Sequence, residues 1–199
     1  MEIRYKDIVL RDARESDIED EIRWNTVETQ WALWDAPWEM EEEIARFNPE
    51  AYRARAMAEL AREPEGFRWH FELDTAEGVH IGGVNAYLID GSYDWIAEKD
   101  VRLGQPVYAA LGIEIEESAY WSRGLGTRAL EAFALYFMEN GRTDLYLQTW
   151  SGNTRMVRCA KRLGFVICRR KPGIRHVRGV DYDGLTFRLD ADAFRARLT

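Results

Sequence analysis

The hydrophobic positions change period within one short stretch, LGIEIEESAYWSRGLGTRAL, from Leu111 to Leu130. Ile113 and Ile115 alternate with Glu114 and Glu116, the two-residue period of a half-buried strand. From Leu125 onward, Leu130, Phe133, Ala134, Phe137 and Met138 recur at helical spacing, and Asn140-Gly141 supplies a stop of the usual kind. The bend Arg123-Gly124-Leu125-Gly126-Thr127 therefore stands where a strand passes into a helix N-terminus. Glycines there let main-chain amides approach a ligand with no Cβ in the way, and the orphan amides of a helix start favour an anion. The stretch reads as a phosphate cradle preceded by two strand carboxylates; a plain tight turn is the other reading of the glycines.

The remaining pattern predicts an α+β chain. Ile8 to Leu10 is a first strand, followed by a helix capped at Ser16 or Asp17, with Glu19 to Glu21 as first-turn acids, that runs to about Asn25. The connection WALWDAPWE has Pro37 as a helix breaker and three tryptophans, Trp31, Trp34 and Trp38, with rings to bury. Glu41 to about Arg62 is helical, divided at Asn48-Pro49 and ended by Pro64 and Gly66. Phe67 to Leu73 and Val79 to Ile89 form an antiparallel pair turned at Gly78. A long loop from Asp90 to Gln105 precedes the central strand. Strands at Asp144 to Trp150, Phe165 to Cys168 and Leu185 to Leu189, a helix from Asn153 to Leu163 and a short C-terminal helical tail complete the order. Antiparallel strands first and a βαβα unit second imply one domain over residues 1–199, with a mixed, mostly antiparallel sheet flanked by helices.

A chain of 199 residues, 46% hydrophobic and 13% aromatic, has ample material for a packed core. The charged N-terminus and the lack of any apolar run of spanning length imply no membrane segment and a cytoplasmic protein. Cys159 and Cys168 suit a reducing compartment. A net charge of −8 argues against a nucleic-acid partner, yet the charges are segregated. Glu15 to Glu50 holds twelve acids against Arg23 and Arg46, whereas Gly152 to Arg178 has nine bases and no acid. Each block alone reads as a solvated face; together they suggest one end suited to a cation and another to phosphates.

The letters GLGTRA match a dinucleotide fingerprint, but that fold would place them after the first strand, with an acid about 20 residues on. YWSRGLGTRAL followed by SGNTRMVRCAKRLGF instead resembles the paired acetyl-coenzyme A signatures of the GNAT superfamily, especially its RimJ/RimL-type branch. The resemblance implies a GNAT-like fold and an acetyl-CoA-dependent N-acetyltransferase working by direct attack in a ternary complex. It implies a cofactor site at Ile115, Trp121, Ser122, Arg123, Gly124, Leu125, Gly126 and Thr127, with strand groups near Ile115 freed for pantetheine. Asn153 reaches the pantetheine of the same cofactor, caps its helix, or does both.

The acceptor implied is a primary amine, either a protein N-terminus or a small molecule such as a polyamine or aminoglycoside. Such an amine is largely protonated at neutral pH, so a base is needed. Gly112-Ile113-Glu114 is similar to the Gly-Ile-acid sequence of aminoglycoside 6′-N-acetyltransferases, which makes Glu114 the first candidate and Glu116 the second; solvent-facing strand carboxylates are the bland alternative. Trp121 stands where the broader superfamily has Gln or Arg. Ala160 stands where many members carry a tyrosine that protonates the departing thiolate. A non-catalytic coenzyme A sensor with the same fold is the rival reading. His70, His80 and His176 have no metal-ligand spacing, so no metal is expected, and His70 reads as structural. The tryptophans outside obvious core positions suggest a homodimer.

Overall fold

The computed structural model describes residues 1–62 and 66–198. Its elements are β1 (Glu2–Tyr5), β2 (Ile8–Arg11), α1 (Asp17–Thr26), a 3-10 turn (Thr29–Leu33), α2 (Pro37–Arg46), α3 (Pro49–Leu60), β3 (His70–Thr75), β4 (His80–Asp90), β5 (Val107–Ile115), α4 (Leu125–Glu139), β6 (Leu145–Trp150), α5 (Thr154–Leu163), β7 (Phe165–Val177), β8 (Val180–Leu189) and α6 (Ala191–Ala196). The strand order is β1-β2-β3-β4-β5-β6-β8-β7. The β5–β6 pair is parallel, and β1–β2, β2–β3, β6–β8 and β7–β8 are antiparallel. This is the mixed α+β sheet expected from the order of elements. The chain divides into two compact units, Met1–Val84 with Ile113–Ala129, and Asn85–Gly112 with Leu130–Thr199, so β4 and β5 each contribute to both.

In the first unit Ile8, Leu10, Phe71, Leu73 and Ile81 are fully buried. The start of α1 is held by charge. Buried Arg11 donates through both terminal nitrogens to the two oxygens of Asp17, at 2.7 and 2.8 Å, and through Nε to Asp74 at 2.6 Å. Such a forked, buried pairing fixes geometry as well as supplying energy. Further along α1, Arg23 and the Trp24 indole (3.0 Å) both donate to Glu117. In the second unit Phe133, Phe137, Leu145, Leu147 and Phe187 form the fully buried core, and Gly164 (φ +91°) ends α5 as a left-handed cap.

Four boundaries depart from the sequence reading. Pro37 begins α2 instead of breaking it, because its missing N–H is harmless at the first helical position. The N-terminal strand has a partner, β1, joined by a two-residue turn with Lys6 at φ +54°. The strand expected over Phe67 to Leu73 lies at His70–Thr75. The last two strands are far longer than expected: β7 and β8 make one hairpin turned at Arg178-Gly179, with register shifts between Ile167 and Arg169 and between Lys171 and Arg175. β7 is an edge strand, so it tolerates Pro172 and lacks the hydrophobic alternation that marks a buried one. The α3 helix ends at Leu60; Pro64, expected to stop it, lies outside the described residues.

Candidate active site

The segment after β5 is shaped by Trp121. Its indole N–H donates to the Ile115 carbonyl at 2.6 Å, and its ring packs on the cluster of Trp24, Trp31 and Ala32, alongside Met40 and Ile44. Trp121 and Ile115, both assigned to the cofactor by resemblance, are thus bonded to one another, and the Trp121 ring is turned into the core of the first unit. The main chain then takes two left-handed steps, Ser122 at φ +62° and Gly124 at φ +80°, before α4 begins at Leu125. A non-glycine residue rarely holds that conformation, so Ser122 stores strain in the bend. A Cβ at Gly124 would lie 2.9 Å from Arg128 Nη1. Arg128 itself buttresses the bend, donating to the Arg123 carbonyl at 2.9 Å and pairing with Asp7. A Cβ at Gly126 would make only ordinary contact, 3.5 Å, with the Cδ1 atoms of Ile113 and Ile115. Packing therefore does not demand glycine at 126, whereas a group approaching the amides of a helix start would. Exposed Arg123 lies over the Tyr120 ring, 5.0 Å from its centroid, and supplies a fixed positive charge beside the bend. These features fit a diphosphate.

Because Ile113 and Ile115 face Gly126, strand alternation sends Glu114 to the other face of β5, and Glu116 follows just past the end of the strand. There the neighbouring strand β4 carries two glycines, Gly82 and Gly83. A Cβ on Gly82 (φ +150°) would lie 2.2 Å from the Glu114 carbonyl oxygen and 2.4 Å from Glu116 Oε2; one on Gly83 would lie 3.2 Å from His70 Cε1. Two adjacent glycines in β4 thus make room for ionisable groups from both sides. Glu116 is 6% exposed, and its Oε2 has no hydrogen-bond partner. Burial, then the charges of Glu114 and Glu21, drives its carboxyl well above the usual range. Burial, then Asp35 and Glu21, pushes Glu114 up to about 8. Burial and Glu72 push Glu21, on α1, up to about 7.

Glu72 is the opposite case. Burial would raise it, but hydrogen bonds from His70 and His80, each at 3.1 Å, bring it down to about 2. His80 also faces Asp20 through Nδ1 at 3.2 Å and rests against Trp24; burial lowers its pKa, but Glu72 and Asp17 outweigh that and leave it raised. His70 is raised likewise, Glu72 overcoming burial. Tyr52 on α3 completes the surround, its hydroxyl pushed up by burial and then by Glu21 and Glu72. Glu21, Glu72 and His80 also bring three atoms of ligating type within 4.8 Å of one another, from three separate elements that no sequence spacing would join.

Sequence reasoning found Glu114 and Glu116 but missed their surroundings. Glu21 reads as a first-turn helix charge, His70 as structural, and Glu72 and His80 as ordinary strand residues. The available signal was Gly82-Gly83 inside an otherwise apolar strand, a mark of close approach. In the second unit, Asn153 Oδ1 accepts from the Met156 amide at 3.0 Å and so caps α5, and Ala160 is fully buried.

The sequence model of the family described as "Acetyltransferase (GNAT) domain" matches residues 7–166. No curated protein matches the chain by sequence. Among solved structures, RimL, a ribosomal L7/L12 alpha-N-protein acetyltransferase in complex with coenzyme A, is similar with a TM-score of 0.68 at 15% identity, over 96% of this chain and 100% of that one. An acetyltransferase of the GNAT family from Bacillus anthracis gives 0.67 at 13% identity, over 96% and 99%. The yncA protein of Salmonella typhimurium, with its cofactor acetyl-CoA, gives 0.60 at 18% identity, over 94% and 95%. Among the described residues no helix is long and apolar enough to cross a membrane.

Proposed function

Because the chain belongs to the acetyltransferase (GNAT) domain family, we propose that it transfers the acetyl group of acetyl-coenzyme A to a primary amine, with Glu114 as the base. The observation that carries this is the run of β5 into the glycine bend: a carboxyl raised to about 8 stands ten residues ahead of the first of the main-chain amides suited to a diphosphate. Arg123, Gly124, Leu125, Gly126 and Thr127 would hold that diphosphate, Arg123 by charge and the others by backbone. Ser122 sets the bend's direction, and Trp121 and Ile115 fasten it to β5. The cosubstrate supplies an acetyl thioester.

An alkylammonium has a pKa near ~10.4, and a base of pKa about 8 is better matched to it than an ordinary carboxylate. The proton passes from the ammonium to the Glu114 carboxylate, the freed nitrogen forms the new C–N bond, the C–S bond breaks, and the nitrogen gives its second proton to solvent as the amide forms. Solvent protonates the sulfur, since Ala160 offers no proton. The likeness to RimL supports an amino-terminal acceptor, and the acid cluster supports a small polycation. The test is an amine panel with acetyl-coenzyme A, run on the native chain, Glu114→Gln and Glu116→Gln. Loss of about 10²-fold or more in kcat/KM for Glu114→Gln is expected. Unchanged turnover in both variants would remove the strand carboxylates from the mechanism, and cofactor binding without turnover of any amine would favour a sensor.

A further inference from the structure

A bend that holds a ligand by main-chain amides depends on which way each peptide faces, and the bend before α4 has little stiffness of its own. Gly124 turns freely, and Ser122 is already strained at φ +62°. Arg128 supplies what the bend lacks. It stands one helical turn after Gly124, and a side chain on a helix covers the turn N-terminal to its own Cα. Its Nη2 uses both hydrogens, donating to the Arg123 carbonyl at 2.9 Å and to Asp7 Oδ2 at 2.9 Å. Its Nη1 fills the space that a Cβ on Gly124 would need, and its Nε is in ion contact with Asp7 Oδ1. Asp7 comes from the turn between β1 and β2 and is itself held, because its carbonyl accepts from the Ala76 amide at 3.0 Å. Asp7, Arg128 and the bend all belong to the first unit, although 121 residues separate the two partners.

Resting on the acetyl-transfer reading above, we propose that Asp7 and Arg128 are positioning residues for the diphosphate of the cosubstrate: Arg128 fixes the peptide between Arg123 and Gly124, and Asp7 fixes Arg128. In a planar trans peptide the C=O and the N–H that follows it point in opposite directions. Holding the Arg123 carbonyl toward Arg128 therefore turns the Gly124 N–H away from it, and among the described residues no main-chain carbonyl accepts that N–H. An amide so aimed and left open is what an anion at a helix start requires. Preorganisation of this kind raises affinity by removing the cost of ordering a loop on binding. The pair is partly exposed, so it contributes little to stability by itself, and its effect falls on the cosubstrate. Charge alone predicts the reverse sign. An acid beside a diphosphate site repels the ligand, so an Asp7 that acted only by charge would weaken binding and its neutralisation would tighten it.

The experiment compares the native chain with Asp7→Asn, which keeps the side chain's shape, with Arg128→Gln and with the double variant. Calorimetry with coenzyme A reads binding without turnover. Steady-state kinetics on an amine that the native chain acetylates are measured with acetyl-coenzyme A and with S-acetylpantetheine, which has no diphosphate. Each single variant should raise Kd for coenzyme A and KM for acetyl-coenzyme A about tenfold, the order of effect of a hydrogen bond to a charged group, with kcat changed less than about twofold. The kcat/KM for S-acetylpantetheine should stay within about twofold of native. The double variant should lose no more than Arg128→Gln alone, because Asp7 acts only through Arg128. Tighter coenzyme A binding by Asp7→Asn, an unchanged Kd in both single variants, or equal losses with S-acetylpantetheine would overturn the positioning role while leaving acetyl transfer intact. Should Arg128→Gln fail to fold, Asp7→Asn, on a half-exposed turn, carries the same comparison. If the native chain does not bind coenzyme A, the acetyl-transfer reading falls and the positioning role with it.

Discussion

The chain has two blocks of strongly biased charge, and the fold uses them in opposite ways. The acidic block of α1 turns Asp17 and Glu21 toward the sheet, where they meet Arg11, Glu72 and His80 and where burial pushes the Glu21 carboxyl up to about 7. The basic block of α5 and β7 stays on the surface. Arg158, Lys161, Arg162, Arg170 and Arg175 belong to elements whose buried residues are Ala160, Leu163, Phe165 and Val177, and Arg170 pairs with Asp183 at 3.0 Å with more than half its side chain exposed. A run of like charges is therefore no guide to function until burial is known. One charged block carries carboxyls with shifted pKa values, and the other forms a solvated face.

The sharpest way to break this contrast is at Gly82. Gly82→Ala forces a Cβ to 2.2 Å from a backbone oxygen and 2.4 Å from Glu116 Oε2 in a φ region that disfavours side chains. It is expected to destabilise the chain by ~2–3 kcal/mol in urea unfolding and to remove most acetyl transfer. A harmless Gly82→Ala would mean that the acid cluster is not tightly built.

The pH dependence of stability follows with a definite sign. Glu21 and Glu114, raised from 4.5 to about 7 and about 8, hold protons in the folded chain that the unfolded chain releases. Their contribution is full below pH 4.5 and is lost as pH rises through 7 to 8; raised His70 and His80 act in the same direction. Glu72, lowered to about 2, loses its contribution only as pH falls below its unfolded value of 4.5 toward 2, so it stays level at higher pH. The ligand-free protein should therefore lose on the order of 5 °C in Tm between pH 5 and pH 9. Glu114→Gln should flatten that slope, and a Tm that rises over the range would contradict the assigned shifts. The smallest effect belongs to the basic face: Arg170→Ala should change stability by less than ~0.5 kcal/mol and leave kcat/KM unaltered. A large fall in turnover would give β7 a role it lacks here.

Much of the framework is visible in local pattern. The switch from two-residue to helical period at Leu111 to Leu130 locates β5, the bend and α4, and Asn48-Pro49 separates α2 from α3 as observed. The long β7–β8 hairpin was not visible, since an exposed edge strand buries few side chains and its bulges interrupt what alternation remains. Pro37 misleads because a proline that breaks a helix interior also opens a new one.

What the residue order could establish is whatever depends on neighbours in sequence: the strand-bend-helix passage, the glycines within it and the two carboxyls at the end of β5. What folding alone could decide is which charges become unusual. Glu21, His70, Glu72 and His80 come from α1, β3 and β4, and nothing in their spacing predicts that they surround Glu114 and Glu116. A pKa is set by burial and by charges within a few ångströms, and those distances exist only once separate elements pack together.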